Sequence, residues 1–328
     1  TSTGYDESED AEDTSIGDKQ QAYEENSEGP KEDFVEEKLA ITLYYQDKDG
    51  YLIPVTRRVE KQEGIAKAAL NALVDNALNR EEIEYFGLYP VLPEGTKILG
   101  MTIKEGTARV DFNNKLLDYS SETDERNIIT SIVYTLTEFS TINDVKILIN
   151  GYELGTLKYG TDASGTLGRQ NVMINNGEVN VEEGDGKLDV YLFKPLNDEY
   201  VYILPVSFKT EILAEDEKPE RIIELLREGT KDDKLFTEIP GETELIKSDI
   251  KDNLLILDFD SGITAYGGGT SREDGILKQI LYSMKQVDGI KRVRIMIEGG
   301  TKSLPEGTDI SKPMLIPKEI NDVVDISD

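Results

Sequence analysis

Residues 105–151 decide the fold, and they read in order as a turn, a strand, a loop, a helix and a strand. The stretch begins EGTARVDFNN at 105–114, continues SSETDERNIITSIVYTLTEFS at 120–140 and ends DVKILING at 144–151. Apolar side chains alternate in the first and last parts, which is typical of strands. In the middle part they recur every three or four residues, which predicts a helix.

The same pattern occurs a second time. It begins DNLLILDFDS at 252–261, continues GTSREDGILKQILYSMKQV at 269–287 and ends IKRVRIMIEGG at 290–300. Asp111 and Asp258 are 147 positions apart, whereas Tyr134 and Tyr282 are 148 apart. The two stretches therefore match along their whole length apart from one small insertion. An internal repeat of this length predicts two tandem domains of one fold that arose by duplication.

Shorter matches extend each copy upstream. PEGTKIL at 93–99 corresponds to PGETELI at 240–246, and KLAITLYY at 38–45 corresponds to KLDVYLF at 187–193. Each copy is therefore about 110–130 residues long, near the usual size of a domain. The predicted organisation is a disordered acidic tether at 1–37, a first domain with its connecting segment at 38–181, a linker at 182–186, a second domain at 187–317 and a C-terminal tail at 318–328.

Each copy is predicted to be an α+β module with the order β-β-α-β-β-α-β, in which two helices cover one face of a mixed sheet. Asp49-Gly50 and Glu105-Gly106 supply turn residues for two hairpins in the first copy. Ser121–Asp124 and Thr270–Glu273 both have the pattern of a capping box at the start of the second helix. The first helix of the first copy is expected to span 64–77.

Three further local expectations concern packing. Tyr85, Phe86 and Tyr89 lie in a loop, and they either pack against the core or form an exposed docking patch, the first being favoured. The segment after Leu157 carries Leu167, Val172 and Ile174 and is expected to pack on the first domain. The tail is expected to be ordered as far as Ile316 and to fray beyond it.

Composition excludes several classes of function. The 328 residues include 36 basic and 66 acidic side chains, a formal net charge of −30, which argues against nucleic acid and anionic membranes as partners. The chain has no Cys and no His, which excludes disulfides, Cys/His zinc sites and Ser-His-Asp or Cys-His catalysis. No apolar run approaches the ~20 residues that span a bilayer. The first residue is not Met, so we expect that a signal or an anchor has been removed.

The aspartates of the VDF and LDF motifs are the most conspicuous candidates for a site. Asp258 and Asp260 lie two apart on one strand face, which leaves a metal site possible in the second copy, whereas Asp111 has only Asn113 beside it. The favoured interpretation is that each Asp accepts backbone N–H groups of a following turn or helix. On this basis we predict no catalytic, cofactor-binding or metal-binding residues.

Three other motifs are weaker. QDKDG at 46–50 suggests an EF-hand, but Thr56 stands where the loop needs a bidentate Glu. Ser248 and Lys251 match an SxxK pattern, yet they fall on a predicted strand, where residues three apart point to opposite faces. The glycines at 267–269 lack the residues of a phosphate-binding loop.

The VDF motif with its Ser-started helix, the YTLT run at 134–137 and VKILING at 145–151 together resemble the GerMN domain. This domain is found in sporulation and germination proteins of endospore-forming bacteria. The resemblance covers about 39–165 and 188–317, nearly all of the predicted folded chain. In the second copy YTLT is replaced by YSMK at 282–285, so the two copies need not have equal roles.

The resemblance implies a function that the residues alone do not. Proteins of this family are lipoproteins that support the transenvelope complex between mother cell and forespore, and their modules are similar to ring-building modules of secretion systems. We therefore expect a non-enzymatic extracytoplasmic scaffold without cofactors, whose partners are other proteins of that complex. The expected location is the mother-cell membrane facing the forespore, through a lipidated Cys that is not in this sequence. The alternative is a protein that binds or hydrolyses cell-wall glycan.

Overall fold

A computed structural model describes residues 38–62, 64–176, 184–196, 200–301 and 303–322. The predicted tether at 1–37 lies outside the described residues, as do residues 182 and 183 of the predicted linker. We call the described residues 38–176 the first module and 184–322 the second module.

The α+β class and the repeated order of elements are confirmed in both modules. The first module contains β1 (Lys38–Asp47), β2 (Leu52–Glu60), α1 (Ile65–Ala72), α2 (Ala77–Ile83), β3 (Leu88–Tyr89), β4 (Ile98–Lys104), β5 (Thr107–Phe112), α3 (Glu122–Leu136), β6 (Asp144–Ile149), β7 (Tyr152–Glu153) and β8 (Leu167–Gly168). The second contains β9 (Gly186–Pro195), β10 (Val201–Thr210), α4 (Lys218–Glu228), β11 (Leu245–Lys251), β12 (Leu254–Phe259), α5 (Gly269–Met284), β13 (Arg292–Ile297) and β14 (Met314–Leu315).

The strands of each module divide between two sheets, which refines the expectation of one mixed sheet. β1 and β2 form an antiparallel hairpin that β3 extends, and β9 and β10 form the equivalent hairpin. The mixed sheets have the orders β4-β5-β6-β7, with β8 also on β6, and β11-β12-β13-β14. In each mixed sheet the central pair is parallel and is joined by the long helix, α3 or α5. A helical crossover is what a parallel pair requires.

The turns follow the predicted residues. Glu105 and Gly106 both have positive φ, 52° and 80°, as a tight hairpin turn between β4 and β5 needs. The loop after β1 has three residues rather than the two, Asp49 and Gly50, that the sequence suggested, because Asp47 N donates to Tyr51 O. Gly50 adopts φ 85° in this loop.

Two helix predictions need correction. The predicted helix at 64–77 is broken after Ala72: Val74 pairs with Leu92, and Asn76 then caps a separate helix, α2. The capping box predicted at Thr270 is absent, because α5 begins at Gly269 with Gly268 as its N-cap. By contrast, Ser121 forms the predicted box with Asp124 at the start of α3.

Buried apolar side chains of both modules form one continuous core. Leu167, Val172 and Ile174 are buried as predicted. Phe86 is also buried, and the hydroxyl of Tyr202 in β10 donates to its carbonyl, 2.9 Å away, so this part of the aromatic loop packs against the other module. The favoured packing is wrong for Tyr85, which is 62% exposed. The prediction that the chain frays beyond Ile316 is wrong for residues 317–322, because Ile320 and Asn321 hydrogen-bond to the hairpins of both modules.

Candidate functional site

The two candidate aspartates close turns. Gly151 N donates to Asp111 Oδ1 at 2.8 Å, and Gly299 N donates to Asp258 Oδ1 at 2.9 Å. Each carboxylate therefore ties the end of β5 or β12 to the turn that follows the parallel neighbour strand. The sequence favoured a structural role of this kind, but it placed the role in the turn or helix that directly follows each Asp; the turn that is closed lies 40 residues after Asp111 and 41 after Asp258.

Asn113 and Asp260 have a different and equally matched role. Asn113 Oδ1 accepts Lys97 N and Asp260 Oδ1 accepts Glu244 N, both at 2.9 Å, which ties each strand to the start of the edge strand. Asp258 and Asp260 thus serve two separate turns. Within the described residues no group of three or more His, Cys, Asp or Glu is placed to hold a metal ion.

The weaker motifs also have structural roles. In QDKDG, Asp47 Oδ1 accepts the backbone N–H groups of Asp49 and Tyr51, both at 2.9 Å, as in an ordinary Asx turn. Ser248 and Lys251 lie on β11, a strand, as predicted. Gly268, with φ 124°, is the N-cap of α5.

Sequence reasoning missed a pair of buried glutamates that hold long loops. Glu125 Oε1 accepts Thr161 N at 3.0 Å and Oε2 accepts Tyr159 N at 2.8 Å. In the second module Glu273 Oε1 accepts Glu306 N at 2.6 Å and Oε2 accepts Thr308 N at 3.1 Å. Burial raises the pKa of both carboxyls, but the hydrogen bonds outweigh it and lower the pKa below its ordinary value. The 148-residue spacing of the two glutamates was the available signal.

Sequence reasoning also missed the contact between the modules. We call Ile174-Asn175 and Ile320-Asn321 the two arms; each follows the last strand of its module. Ile174 O accepts Ser207 N of β10, and Ile174 N donates to Ser207 Oγ, both at 2.8 Å. The second arm repeats this on β2, where Ile320 O accepts Thr56 N at 2.9 Å and Ile320 N donates to Thr56 Oγ1 at 2.8 Å.

The arm asparagines then bridge both hairpins. Asn175 accepts Leu52 N and donates to Leu52 O and Pro205 O, at 2.8–2.9 Å. Asn321 accepts Ile203 N at 3.0 Å and donates to Ile203 O and Pro54 O, at 2.6 and 2.8 Å. The two sets correspond one to one, as in an interface between subunits related by a two-fold axis.

Ionic contacts between the modules do not repeat in this way. Lys194 of β9 is buried and lies 3.1 Å from Asp47 and 2.9 Å from Asp49 in the first module. Glu138 lies 2.5 Å from Arg169 of its own module and 2.8 Å from Lys285 of the other. Burial raises the pKa of Glu138, but these two cations outweigh it and hold the pKa at about 2.

A cleft of about 400 Å³ is lined by residues of both modules, among them two carboxylates, Asp189 and Asp288. The carboxylate of Asp189 accepts hydrogen bonds from Tyr134 at 2.8 Å, Lys187 at 2.9 Å and Ser207 at 2.6 Å. Asp288 is solvent-exposed. Asp189 is thus already engaged by three donors, and to act as a general acid or base it would have to give these up.

Comparison with known proteins agrees with the two-module fold. A family model described as "Germane: Sporulation and spore germination" matches residues 42–155 and 189–303. The chain belongs to this Germane (GerMN) family. The matched ranges contain the parallel central strands of both mixed sheets and the long helices α3 and α5, so both modules are GerMN domains.

The chain is similar to GerMN proteins of known structure. It is 30% identical over 303 residues to the spore germination protein GerM of Bacillus subtilis (strain 168), covering 90% of this chain and 82% of that protein. The structure of the tandem GerMN domains of the sporulation protein GerM from Bacillus subtilis matches with a TM-score of 0.76 and 30% identity, covering 86% of this chain and 99% of that one. This chain is therefore a GerM homologue of the sporulation and germination class, and these homologues are named without reference to an enzyme activity.

Proposed function

We propose that this protein is a non-enzymatic, extracytoplasmic scaffold of sporulation that supports the transenvelope complex between mother cell and forespore. Its partners are other proteins of that complex, and a lipid anchor outside this sequence holds it at the mother-cell membrane. Within the described parts of the chain, no helix combines the length and apolar character that crossing a bilayer requires.

One observation carries the proposal: the polar groups that could have served chemistry bind the protein itself. Asp111 and Asp258 close turns, Glu125 and Glu273 hold loops, and Asp189 is engaged by three donors. The modules also share one core and two reciprocal arms. A packed pair of modules whose internal carboxylates are hydrogen-bonded is suited to binding proteins on its surface rather than to acid–base catalysis.

The scaffold function is tested by light scattering of the purified chain, alone and mixed with ectodomains of proteins of the sporulation transenvelope complex. We expect at least one ectodomain to form a larger complex of defined mass. A chain that stays monomeric with every ectodomain contradicts the proposal.

The alternative, action on cell-wall glycan, is tested separately. Purified cell-wall sacculi are incubated with the chain, and bound protein and newly released reducing ends are measured. Retaining glycosidases need two carboxyl groups ~5 Å apart, one of them free to donate a proton. We expect no release of reducing ends. If reducing ends accumulate with the chain but not with a boiled sample, the protein is an enzyme that hydrolyses glycan, and the scaffold proposal is wrong.

A further inference from the structure

The two mixed sheets end in equivalent edge strands. β4 is the outermost strand of the first sheet and β11 of the second, and in the described residues neither has a strand on its outer side. Each residue of β4 corresponds to the residue of β11 that lies 147 positions later. A free edge presents unpaired backbone N–H and C=O groups to any extended chain that approaches it.

Only one of the two edges is protected by charge. β11 reads LIKSDIK, with Lys247 and Asp249 in its middle and an ion pair of 2.9 Å from Asp249 to Lys251. The matching positions in β4, which reads ILGMTIK, are Gly100 and Thr102. Charged side chains, especially Lys, are the usual means by which proteins prevent strands from adding to an edge. β4 has no charge from residue 98 to residue 103.

β4 also exposes apolar side chains. Met101 lies opposite Val110 and Ile103 opposite Ala108, so they continue the core face of the sheet to its edge. Ile103 is 47% exposed there, and the nearby Leu99 is 52% exposed. An added strand that placed apolar side chains beside Met101 and Ile103 would extend the buried face and cover them.

The charges at the two ends of β4 indicate what kind of strand fits. Lys97 and Lys104 are exposed. Among the described residues Lys97 has no ion-pair partner, and Lys104 has only Glu105, at 3.9 Å. A second copy of this chain is disfavoured, because two-fold antiparallel pairing of β4 with itself would bring Lys97 towards Lys104 and would join two chains of net charge −30.

We propose that β4 is a docking edge, to which a partner protein adds one extended strand with apolar side chains in alternation and a carboxylate at each end. The inference rests on the proposed scaffold function and assigns it to a surface. Main-chain hydrogen bonds to the edge supply affinity, and the apolar row with its two flanking lysines supplies selectivity.

The test exchanges the charges of the two edges in the full chain. One variant, Gly100→Lys with Thr102→Asp, gives β4 the charges of β11; its matched control, Lys247→Gly with Asp249→Thr, removes them from β11. A Cβ at Gly100 meets no atom within 4 Å and Thr102 is exposed, so the blocked variant retains its fold. Unchanged unfolding midpoints in urea verify this.

The probe is a fluorescein-labelled peptide, Glu-Val-Thr-Ile-Thr-Val-Glu, measured by fluorescence anisotropy. We expect it to bind the unaltered chain, and to bind the blocked variant at least about tenfold more weakly. The variant with the charges removed from β11 should bind as the unaltered chain does, because Glu244 precedes β11 where Lys97 precedes β4 and would repel the carboxylate of the peptide. A peptide that ends in Lys instead of Glu should bind the unaltered chain more weakly.

Absence of binding, or equal binding to the unaltered chain and the blocked variant, overturns the proposal. Concentration-dependent dimers of the unaltered chain that the blocked variant loses would identify a second copy as the occupant and overturn the partner assignment. The blocked variant is also mixed with an ectodomain that binds the unaltered chain. If the blocked variant still forms the complex, the proposal of β4 as the docking edge is wrong, and the proposed scaffold function is retained. If no ectodomain binds either protein but the peptide binds the unaltered chain more tightly, the scaffold function is wrong, and the docking edge is retained.

Discussion

At the scale of single residues, Asn175 and Asn321 carry the contact between the modules. Both adopt the left-handed backbone conformation, with φ of 49° and 46°, which Asn tolerates better than other side-chain-bearing residues. This conformation ends each arm, and each amide then serves three backbone groups of the two hairpins. Nothing in the sequence around either Asn marks it, because the groups that it binds lie more than a hundred residues away or in the other module.

Asn175→Ala and Asn321→Ala should each lower the free energy of unfolding by about 2–3 kcal/mol, because each leaves buried backbone groups without partners. Asn150→Ala is the matched control. Asn150 has the same φ of 49° but is exposed, and its side chain has no hydrogen bond with the described residues. Asn150→Ala should lower the free energy of unfolding by only about 1 kcal/mol, because the new side chain must adopt the strained left-handed conformation. Urea unfolding followed by circular dichroism measures all three, and equal losses would show that the bridges contribute nothing.

At the scale of elements, the helices were well predicted in type and less well at their ends. The long helices α3 and α5 and the strands around them follow from apolar periodicity, which depends on local sequence. The capping box failed in the second copy because the helices align at a spacing of 148, which places Gly269 where Ser121 lies. The break after α1 was missed because Val74 is drawn into a bridge with Leu92, a tertiary contact that overrides helix propensity.

The two helix starts should respond differently to loss of a hydroxyl. Ser121 Oγ accepts Asp124 N at 3.0 Å, so Ser121→Ala should lower the free energy of unfolding by about 1 kcal/mol. Thr270 is exposed and caps nothing, so Thr270→Ala should change it by less than about 0.5 kcal/mol. Thermal unfolding of both variants is the measurement; a larger loss at Thr270 would mean that α5 starts differently in solution.

At the scale of the whole molecule, ion pairs join the two modules in addition to the shared core and the arms. Glu138 of the first module is held between Arg169 and Lys285, and its pKa is about 2 against an ordinary value of 4.5. A carboxyl whose pKa is lower in the folded state stabilises the fold fully above pH 4.5. That stabilisation is lost as the pH falls from 4.5 towards 2, so the contact between the modules should weaken in acid.

This group should account for about 3 kcal/mol of the stability lost between pH 5 and pH 2. Glu138→Gln should therefore destabilise the chain at pH 7 and flatten the dependence of stability on pH in this window. Glu122→Gln is the control, because the pair of Glu122 with Arg126 is largely exposed and contributes little. Urea unfolding at several pH values measures the slopes. The explanation fails if Glu138→Gln retains the slope of the unaltered chain.

The sequence by itself determined the repeat, the α+β class, the order of the main strands and helices and the hairpin turn at Glu105-Gly106. These depend on side-chain periodicity and on turn residues within a few positions of one another, which a single chain displays directly. Only the tertiary structure decided that the two modules share a core, that arms bridge the hairpins through Asn175 and Asn321, and that Glu138 pairs with Lys285. Such contacts join residues far apart in the chain and have no period, so they exist only once the two surfaces have packed.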